Sequence, residues 1–180
     1  MRAAGFEVEI VATDVDESLR GGESPAQYVR RLAAEKSAAA RAALKGRATA
    51  TTSADTVVVL GADTTVVVDG AILAKPIDDA DAAAMLRRLS GRTHDVLTGI
   101  SLRRGAYELG RVETTRVEFA ALSETDIVWY VASGEGRDKA GAYAIQGLAS
   151  RFIPRIAGSY ANVVGLPVHA VHELLREISR

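Results

Sequence analysis

Cysteine is absent from this 180-residue chain, and proline, phenylalanine and tryptophan are scarce, with four, three and one residues. The absence of cysteine excludes disulfide bonds, zinc–thiolate sites and thiol nucleophiles. No apolar run reaches the roughly 18 residues that a membrane-spanning helix needs, and no signal peptide is visible at the N-terminus. The sequence therefore predicts a cytoplasmic protein that does not span a membrane.

Opposite charges nearly cancel, because 22 lysines and arginines stand against 23 aspartates and glutamates, for a net charge of −1. Such a chain has no general attraction to nucleic acid, so an anionic ligand has to be bound by local basic side chains. Small phosphorylated ligands meet this condition. The length allows a substantial core and predicts a single domain over residues 1–180, with at most a minor second lobe.

Hydrophobic periodicity and capping signals predict a mixture of strands and helices. Strands are predicted at residues 6–10, 57–60, 66–68, 71–73, 93–103, 107–119 and 152–156, with loops at 45–55 and 162–166. Helices are predicted from 25 to 44, from the acids after Pro76 to Ser90-Gly91, from Ser123 to Gly134, and from 167 to 178. The fold class is therefore α/β or α+β, with a mixed, partly antiparallel sheet flanked by helices.

The stretch GADTTVVVDGAILAKP places an acid, Asp63, and a base, Lys75, on the two arms of a predicted hairpin around Asp69-Gly70. The register of that hairpin brings the two charges together at its open end, although a shared pocket requires a bulge near Gly61 or Thr64. The small residue Gly61 is also typical of a backbone that a ligand approaches. Spacing alone leaves two interpretations open, a ligand site or ordinary surface charges.

A second candidate is the stretch GRDKAGAYAIQG, which contains Lys139 and Gln146. A lysine beside flexible backbone amides suits a phosphate, and a glutamine amide can both donate to and accept from a nucleobase edge. The alternative is a connecting loop with a surface lysine. The chain has no GxxxxGK[ST] loop, no GxGxxG fingerprint after a strand and no GxSxG elbow.

Metal-binding candidates are the acids Asp14, Asp16 and Glu17 and the histidines His169 and His172. The three acids resemble a hard-cation cluster, and one of them is a candidate ligand of Mg²⁺, but acids in a loop are usually solvated. The histidines lack a third ligand nearby in the sequence, so we do not expect them to bind a metal.

Five separated blocks carry a resemblance to a known family: GADT, LAKP, LSGRTHDVLTG, DKAGAYAIQG and GSYANVVGLP, in this order. Through them the chain resembles the Maf-like nucleotide pyrophosphatases over nearly its whole length. The resemblance implies a hydrolase of mixed α/β fold that cleaves nucleoside triphosphates to the monophosphate and pyrophosphate. The AGAYAIQG form, with Gln146, resembles the branch that acts on dTTP and UTP rather than the branch that acts on 7-methyl-GTP.

Residue roles follow from the same resemblance. Asp63 is implied as the proton acceptor that activates the attacking water. A divalent cation, Mg²⁺ or Mn²⁺, is implied at Glu17 and Asp63. The implied substrate contacts are Thr64 and Gln146 for the choice of base and Lys36, Lys75 and Lys139 for the triphosphate. A homodimer is expected by analogy with the family.

The resemblance departs from the family at the N-terminus. Family members begin with a strand and a loop that carries arginines, whereas this chain begins at Met1 inside the helix that follows them. We therefore expect a first strand to be missing, through a start placed too late or through truncation. The main rival function is a nucleotide-binding regulatory protein tied to septum formation. A purine pyrophosphatase of the inosine-triphosphatase type is a further alternative, against which Gln146 argues.

Overall fold

A computed structural model describes residues 1–47 and 57–180. The helices are α1 (Pro25–Arg47), α2 (Asp79–Leu89), α3 (Glu124–Ala132), α4 (Tyr160–Val164) and α5 (Val168–Ile178). The strands are β1 (Val59–Val68), β2 (Ala71–Leu73), β3 (Thr93–Arg104), β4 (Tyr107–Glu118) and β5 (Arg155–Ala157). Short 3₁₀ helices lie at Arg2–Ala4, Ala140–Ala142 and Leu148–Phe152. In this part of the chain, no helix is both long and apolar enough to cross a bilayer.

The five strands form one sheet in the order β2-β1-β3-β4-β5. β1 pairs with β2 and β4 pairs with β5, both antiparallel. The turn between β1 and β2 is the predicted Asp69-Gly70 turn, and both residues have positive φ, at 52° and 74°. Two residues in the left-handed region match the twist of the flanking strands, which is why Asp-Gly is favoured there. The predicted fold class, with helices flanking a partly antiparallel sheet, is confirmed.

Capping chemistry places several helix starts where the sequence predicts them. The backbone N–H of Ser24 donates to Oε1 of Gln27 at 2.9 Å, and the backbone N–H of Gln27 donates to Oγ of Ser24 at 3.3 Å. This reciprocal pair satisfies donors that the first turn of α1 leaves free. Ser123 and Asp126 form the same arrangement at the start of α3. The predicted loop at 45–55 is helical up to Arg47, and its remainder lies outside the described residues.

The predicted strand at 6–10 is wrong, because this segment has no regular structure and Ile10 is 80% exposed. An alternating pattern becomes a strand only when a neighbour completes its hydrogen bonds, and the described residues form no ladder with this segment. The two predicted strands at 57–60 and 66–68 are one strand, β1.

Two predictions near the C-terminus are also corrected. The predicted loop at 162–166 overlaps helix α4, which begins after Ser159, whose side chain accepts a hydrogen bond from the backbone N–H of Asn162. The strand predicted at 152–156 begins later, at Arg155 of β5, because Phe152 is the last residue of a 3₁₀ helix. In β5, Ile156 pairs with Val117 of β4.

Contacts divide the chain into two compact units. The first unit comprises Met1–Asp63, Thr98–Glu113 and Pro167–Arg180, and the second comprises Thr64–Leu97 and Thr114–Leu166. The prediction of a single domain over residues 1–180 stays a prediction.

Helix α1 packs directly on the strands of the first unit. A Cβ atom built on Gly61 of β1 would lie 2.2 Å from the carbonyl oxygen of Ala33 and 2.6 Å from the nitrogen of Ser37. At Gly99 of β3, a Cβ atom would lie 2.1 Å from the carbonyl oxygen of Val29. The interpretation of Gly61 as a place for a ligand to approach is therefore wrong, since the helix backbone occupies that space. The contact holds α1 against β1 two residues before Asp63.

The second unit has its own apolar core around α2 and α3. Leu86 and Leu89 of α2 are fully buried, and Phe119, Ile127 and Tyr130 are nearly so. The acids in the first turn of α2 and the buried stripe along the helix agree with the amphipathic pattern of the sequence.

Candidate active site

A three-residue charge cluster in the first unit joins residues that are far apart in the sequence. The side-chain amine of Lys36, on α1, donates to Oδ1 of Asp63, on β1, at 2.6 Å. The same nitrogen lies 2.7 Å from Oε1 of Glu17. The Asp63 side chain is 12% exposed and that of Lys36 is 23% exposed, whereas that of Glu17 is 49% exposed. The structure thus brings together three of the predicted site residues around one ammonium.

The two carboxylates set the charge of the lysine. Burial opposes the ammonium form of Lys36, but hydrogen bonds to Asp63 and Glu17 outweigh it and raise the pKa of Lys36. Lys36 is therefore a cation at neutral pH. A lysine that is fixed between two acids suits a site that handles both negative charge and protons.

The irregular segment that carries Glu17 is held by side chains of α1. The hydroxyl of Tyr28 donates to the carbonyl oxygen of Glu17 at 3.0 Å. Two nitrogens of Arg31 donate to the neighbouring carbonyl oxygens, to Asp16 at 3.3 Å and to Ser18 at 3.0 Å. Three successive carbonyl groups are thus bound by two residues of one helix face. This anchoring places the Glu17 carboxylate beside Lys36 without a strand or helix in the segment itself.

Arg31 is itself fixed by Glu23. Its Nε and Nη2 atoms donate to the two carboxylate oxygens of Glu23 at 2.7 and 2.9 Å, and the two side chains are only 12% and 9% exposed. The hydrogen bonds from Arg31 lower the pKa of Glu23 to about 2. Sequence analysis missed Tyr28 and Arg31 as site-supporting residues, although their i,i+3 spacing puts both on one helix face.

The donor chemistry of this cluster fits a divalent cation. Glu17 and Asp63 direct hard carboxylate oxygens at one position, where they hold the Lys36 ammonium. Mg²⁺ and Mn²⁺ prefer such oxygens, and Mg²⁺ commonly takes one or two carboxylates together with substrate phosphates and water. The residues that the structure describes contain no group of three or more acids, histidines or cysteines that could hold a metal by themselves.

The other metal candidates are not assembled into a site. His169 lies 3.7 Å from Glu173 on α5, an i,i+4 contact at the surface. Asp16 is exposed, and its carboxylate accepts a local hydrogen bond from the backbone N–H of Ser18 at 2.9 Å. This arrangement matches the solvated interpretation of that acid.

In the second unit, two predicted phosphate contacts lie near one carboxylate. Lys139 donates to both oxygens of Asp138, at 2.9 and 2.8 Å. These hydrogen bonds, together with the charges of Lys139 and Lys75, lower the pKa of Asp138. Lys75 is exposed and lies beyond the ladder, which ends at Leu73. The backbone N–H of Gly141 donates to the carbonyl oxygen of Ala74 at 3.1 Å, which ties the segment of Lys139 to that of Lys75.

The two predicted base-recognition residues are both linked to helix α4. The hydroxyl of Thr64 donates to the carbonyl oxygen of Gly165, directly after α4, at 3.1 Å. Gln146 is exposed and lines an open groove of about 370 Å³ with Tyr160, the first residue of α4. The other lining residues are Ile145, Ser150, Ile153, Pro154, Arg155 and Ile156. An amide beside apolar and aromatic side chains is suited to a planar base.

Helix α4 is anchored by Asn162, which sequence analysis placed in a loop and gave no role. Its side-chain nitrogen donates to the carbonyl oxygen of Val96 and to Oγ1 of Thr115, both at 3.0 Å. Asn162 is fully buried. Buried amides are expensive unless they are hydrogen-bonded, so a fully buried Asn162 with these partners fixes α4 in one place. The signal in the sequence was the Ser159-to-Asn162 spacing, which is a capping pattern.

Comparison with known proteins gives a consistent result. A sequence model of the Maf-like protein family matches residues 1–178. The chain is 48% identical to a dTTP/UTP pyrophosphatase of Symbiobacterium thermophilum over 98% of its length and 86% of the relative's. It is 51% identical to a dTTP/UTP pyrophosphatase of Hahella chejuensis over 96% of its length and 83% of the relative's. It is 46% identical to a dTTP/UTP pyrophosphatase of Vibrio cholerae over 96% of its length and 88% of the relative's. The chain therefore belongs to the Maf-like protein family.

Proposed function

We propose that this protein is a nucleoside triphosphate pyrophosphatase that hydrolyses dTTP and UTP, and modified pyrimidine nucleotides, to the monophosphate and pyrophosphate. The observation that carries the proposal is the identity of about one half, over nearly the whole chain, to relatives with that name. The cluster of Lys36, Asp63 and Glu17 supplies residue types that this reaction needs.

Asp63 accepts the proton of the attacking water. A carboxylate is a competent general base when it lies within hydrogen-bond reach of the proton that it removes. The Asp63 side chain is mostly buried and its Oδ1 is in contact with an ammonium, so its position is fixed before substrate binds. Attack at the α-phosphorus then releases pyrophosphate.

Three lysines meet the triphosphate. Cleavage collects negative charge on the leaving pyrophosphate, and positioned cations stabilise that charge in the transition state. The candidates are Lys36, Lys75 and Lys139, which the family resemblance implies. Lys36 and Lys139 are at present neutralised by carboxylates, so a triphosphate has to compete with these acids for them.

Glu17 and Asp63 would hold the divalent cation, Mg²⁺ or Mn²⁺. When bound, such an ion would neutralise charge on the phosphate oxygens and so favour attack of water at the α-phosphorus. Glu17 is the more exposed of the two acids, which leaves it accessible to an ion that arrives with the nucleotide. Chelation with EDTA should abolish turnover, and either ion should restore it.

Thr64 and Gln146 select the base. The amide of Gln146 can accept from the N3–H group of uracil or thymine and donate to the adjacent carbonyl oxygen, because it carries both kinds of atom. The groove that it lines contains one exposed tyrosine, Tyr160, against which a base can stack.

A homodimeric assembly and a cytoplasmic location belong to the same proposal and rest on the family resemblance. Sedimentation equilibrium at micromolar concentration tests the dimer. A fully active monomer would contradict the proposed dimer but not the proposed reaction.

The test is pyrophosphate release from dTTP, UTP, CTP, GTP and 7-methyl-GTP with Mg²⁺ or Mn²⁺. We expect the highest kcat/KM for dTTP and UTP. A preference for 7-methyl-GTP would assign the protein to the other branch of substrates. Binding of dTTP by calorimetry without pyrophosphate release, at any concentration of either metal, would favour the rival interpretation of a nucleotide-binding regulatory protein.

A further inference from the structure

The loop that presents Gln146 is clamped by the carboxylate of Glu135, a half-buried residue. Oε1 of Glu135 accepts a hydrogen bond from the backbone N–H of Leu148 at 2.9 Å, and Oε2 accepts one from Ala149 at 3.4 Å. A Cβ atom built on Gly147 would lie 1.9 Å from Oε1 of Glu135. The carboxylate therefore lies against the backbone immediately after Gln146, and only glycine leaves room for it.

Tyr130 closes the clamp on the other side of Gln146. Its hydroxyl donates to Oε2 of Glu135 at 2.8 Å and accepts from the backbone N–H of Ala144 at 3.0 Å. Tyr130 is 1% exposed, so water cannot replace these contacts. Together, Tyr130 and Glu135 bind the backbone N–H groups of Ala144, two residues before Gln146, and of Leu148 and Ala149, two and three residues after it.

The result is a rigid turn with one outward side chain. Residues 141–145 are buried, whereas Gln146 is exposed. Within the turn, the backbone N–H of Gly147 donates to the carbonyl oxygen of Ala144 at 3.1 Å. A fixed backbone restricts the directions available to the Gln146 amide, and a group that is fixed before binding loses less entropy when the ligand arrives.

We infer that Tyr130 and Glu135 are positioning residues for the selection of the pyrimidine base, acting through the Gln146 loop. This inference rests on the proposed function, since it needs Gln146 to contact the base. Neither residue is assigned to the phosphates, the metal or the attacking water. Loosening the clamp should therefore reduce discrimination between bases more than it reduces phosphate binding.

The test uses Tyr130→Phe and Glu135→Gln in the full chain. Tyr130→Phe keeps the buried ring and removes the hydroxyl. Glu135→Gln keeps the shape but leaves one oxygen for three donors, the two backbone N–H groups and the Tyr130 hydroxyl. The ratio of kcat/KM for dTTP to kcat/KM for GTP should fall at least about 10-fold in each variant, because a site that is built to hydrogen-bond loses selectivity when its groups are misaligned. Inhibition by inorganic tripolyphosphate, which has no base, should be unchanged.

Ser90→Ala is the matched control. Its hydroxyl oxygen also accepts a backbone N–H, from Leu122 at 2.7 Å, in the same unit but outside residues 138–149. This variant should lose stability without a change in the dTTP/GTP ratio. Hydrogen exchange at the amides of Ala144, Leu148 and Ala149 should accelerate in the two clamp variants and not in Ser90→Ala.

The outcomes separate this inference from the proposed function. Equal losses for dTTP and GTP, or an unchanged ratio with faster exchange, would show that the clamp is only structural. If the wild-type protein hydrolyses no triphosphate, the proposed reaction fails, and the inference is then decided by the relative affinities of a non-hydrolysable dUTP analogue and a GTP analogue. A wild-type protein that binds neither analogue overturns both.

Discussion

Lys36 and Asp63 are 27 residues apart in the sequence and are joined by a hydrogen bond of 2.6 Å between the lysine amine and Oδ1 of the aspartate. Because Glu17 contacts the same amine, one ammonium is shared by two carboxylates. The proposed general base is thus held in place by a residue that is itself a candidate phosphate ligand. A triphosphate that attracts Lys36 would release Asp63 at the moment when a base is needed.

Asp63→Asn should remove most of the activity and keep nucleotide binding. An amide cannot accept the proton of water, and loss of a general base typically reduces kcat by about 10²- to 10⁴-fold. Pyrophosphate release and calorimetric binding of dTTP measure the two effects. Asp69→Asn is the control, because Asp69 is exposed at the hairpin turn, where asparagine tolerates the positive φ, and pairs with Arg92. Normal turnover by Asp63→Asn would show that another group is the base.

Gly61→Ala should destabilise the protein strongly. Its new methyl group would lie 2.2 Å from the carbonyl oxygen of Ala33, so α1 would have to move away from β1, at an expected loss of about 3 kcal/mol or more in the free energy of unfolding. Gly110→Ala is the matched control, because the three atoms nearest to its new methyl group all belong to the guanidinium of Arg30, which can move aside at the expense of its salt bridge with Glu108. Urea unfolding followed by circular dichroism measures both variants, and equal stabilities would contradict the packing of α1 described above.

The free energy of unfolding should fall as the pH is lowered from about 6.5 to about 4, because of His94. Burial lowers the pKa of His94 from 6.5 to about 4, and its Nε2 atom lies 2.8 Å from the hydroxyl of Tyr143. The folded state therefore keeps a neutral imidazole while the unfolded state takes up a proton. The contribution of His94 is complete above pH 6.5 and is lost as the pH falls towards 4.

His94→Gln isolates that effect, because glutamine can still hydrogen-bond to Tyr143 and does not titrate. We expect the variant to be less stable than the wild type at about pH 7.5, with the difference narrowing by about 2 kcal/mol at about pH 5, since one pKa unit corresponds to 1.36 kcal/mol. Urea unfolding at both pH values measures the difference. A difference that does not change with pH would mean that His94 takes up a proton in the folded protein as readily as in the unfolded chain.

Arg31→Lys should lower the affinity of the protein for the divalent cation. The single ammonium of a lysine cannot reproduce the five hydrogen bonds that Arg31 makes to Asp16, Ser18, Glu23 and Glu35, so the segment of Glu17 loses part of its support. Loss of a residue that orients a metal ligand typically costs about 10- to 100-fold in metal affinity. The concentration of Mn²⁺ that gives half-maximal activity and the binding of Mn²⁺ by electron paramagnetic resonance measure the change.

Arg20→Lys is the control for that experiment, because Arg20 is 59% exposed and its salt bridge is with Glu35. This variant should need no more metal than the wild type. If Arg31→Lys also kept the wild-type requirement, the segment around Glu17 would not depend on α1 for its metal-binding geometry.

Local signals predicted the local structure well. The Ser24 capping box and the Asp69-Gly70 turn are decided within four residues, and both are confirmed. The strand at 6–10 failed because alternation alone does not supply a partner, and α4 was missed because five residues are too few for a helical period to show.

The site was less predictable, because its contacts are tertiary. Nothing in the spacing of Lys36 and Asp63 indicates that they touch, since the contact depends on the packing of α1 on Gly61. Only the resemblance to a family pointed to Lys36, whereas Glu17 was also one of the three acids that the sequence offered as metal candidates. The roles of the supporting residues Tyr28, Arg31 and Asn162 were not found in this way. Their spacings indicate a shared helix face and a cap, but do not reveal their partners, which are backbone carbonyl groups, the Glu23 carboxylate and a threonine hydroxyl.

The block GADT records two unrelated requirements. Its glycine is fixed by a helix that leaves no space for a side chain, whereas its aspartate, which binds Lys36, is the proposed general base. A variant library at Gly61 should therefore return folding failures, whereas one at Asp63 should return folded proteins without turnover. A search for relatives that gives the four residues of the block equal weight would find proteins with the same helix packing as well as proteins with the same reaction. Only the aspartate would distinguish the two groups.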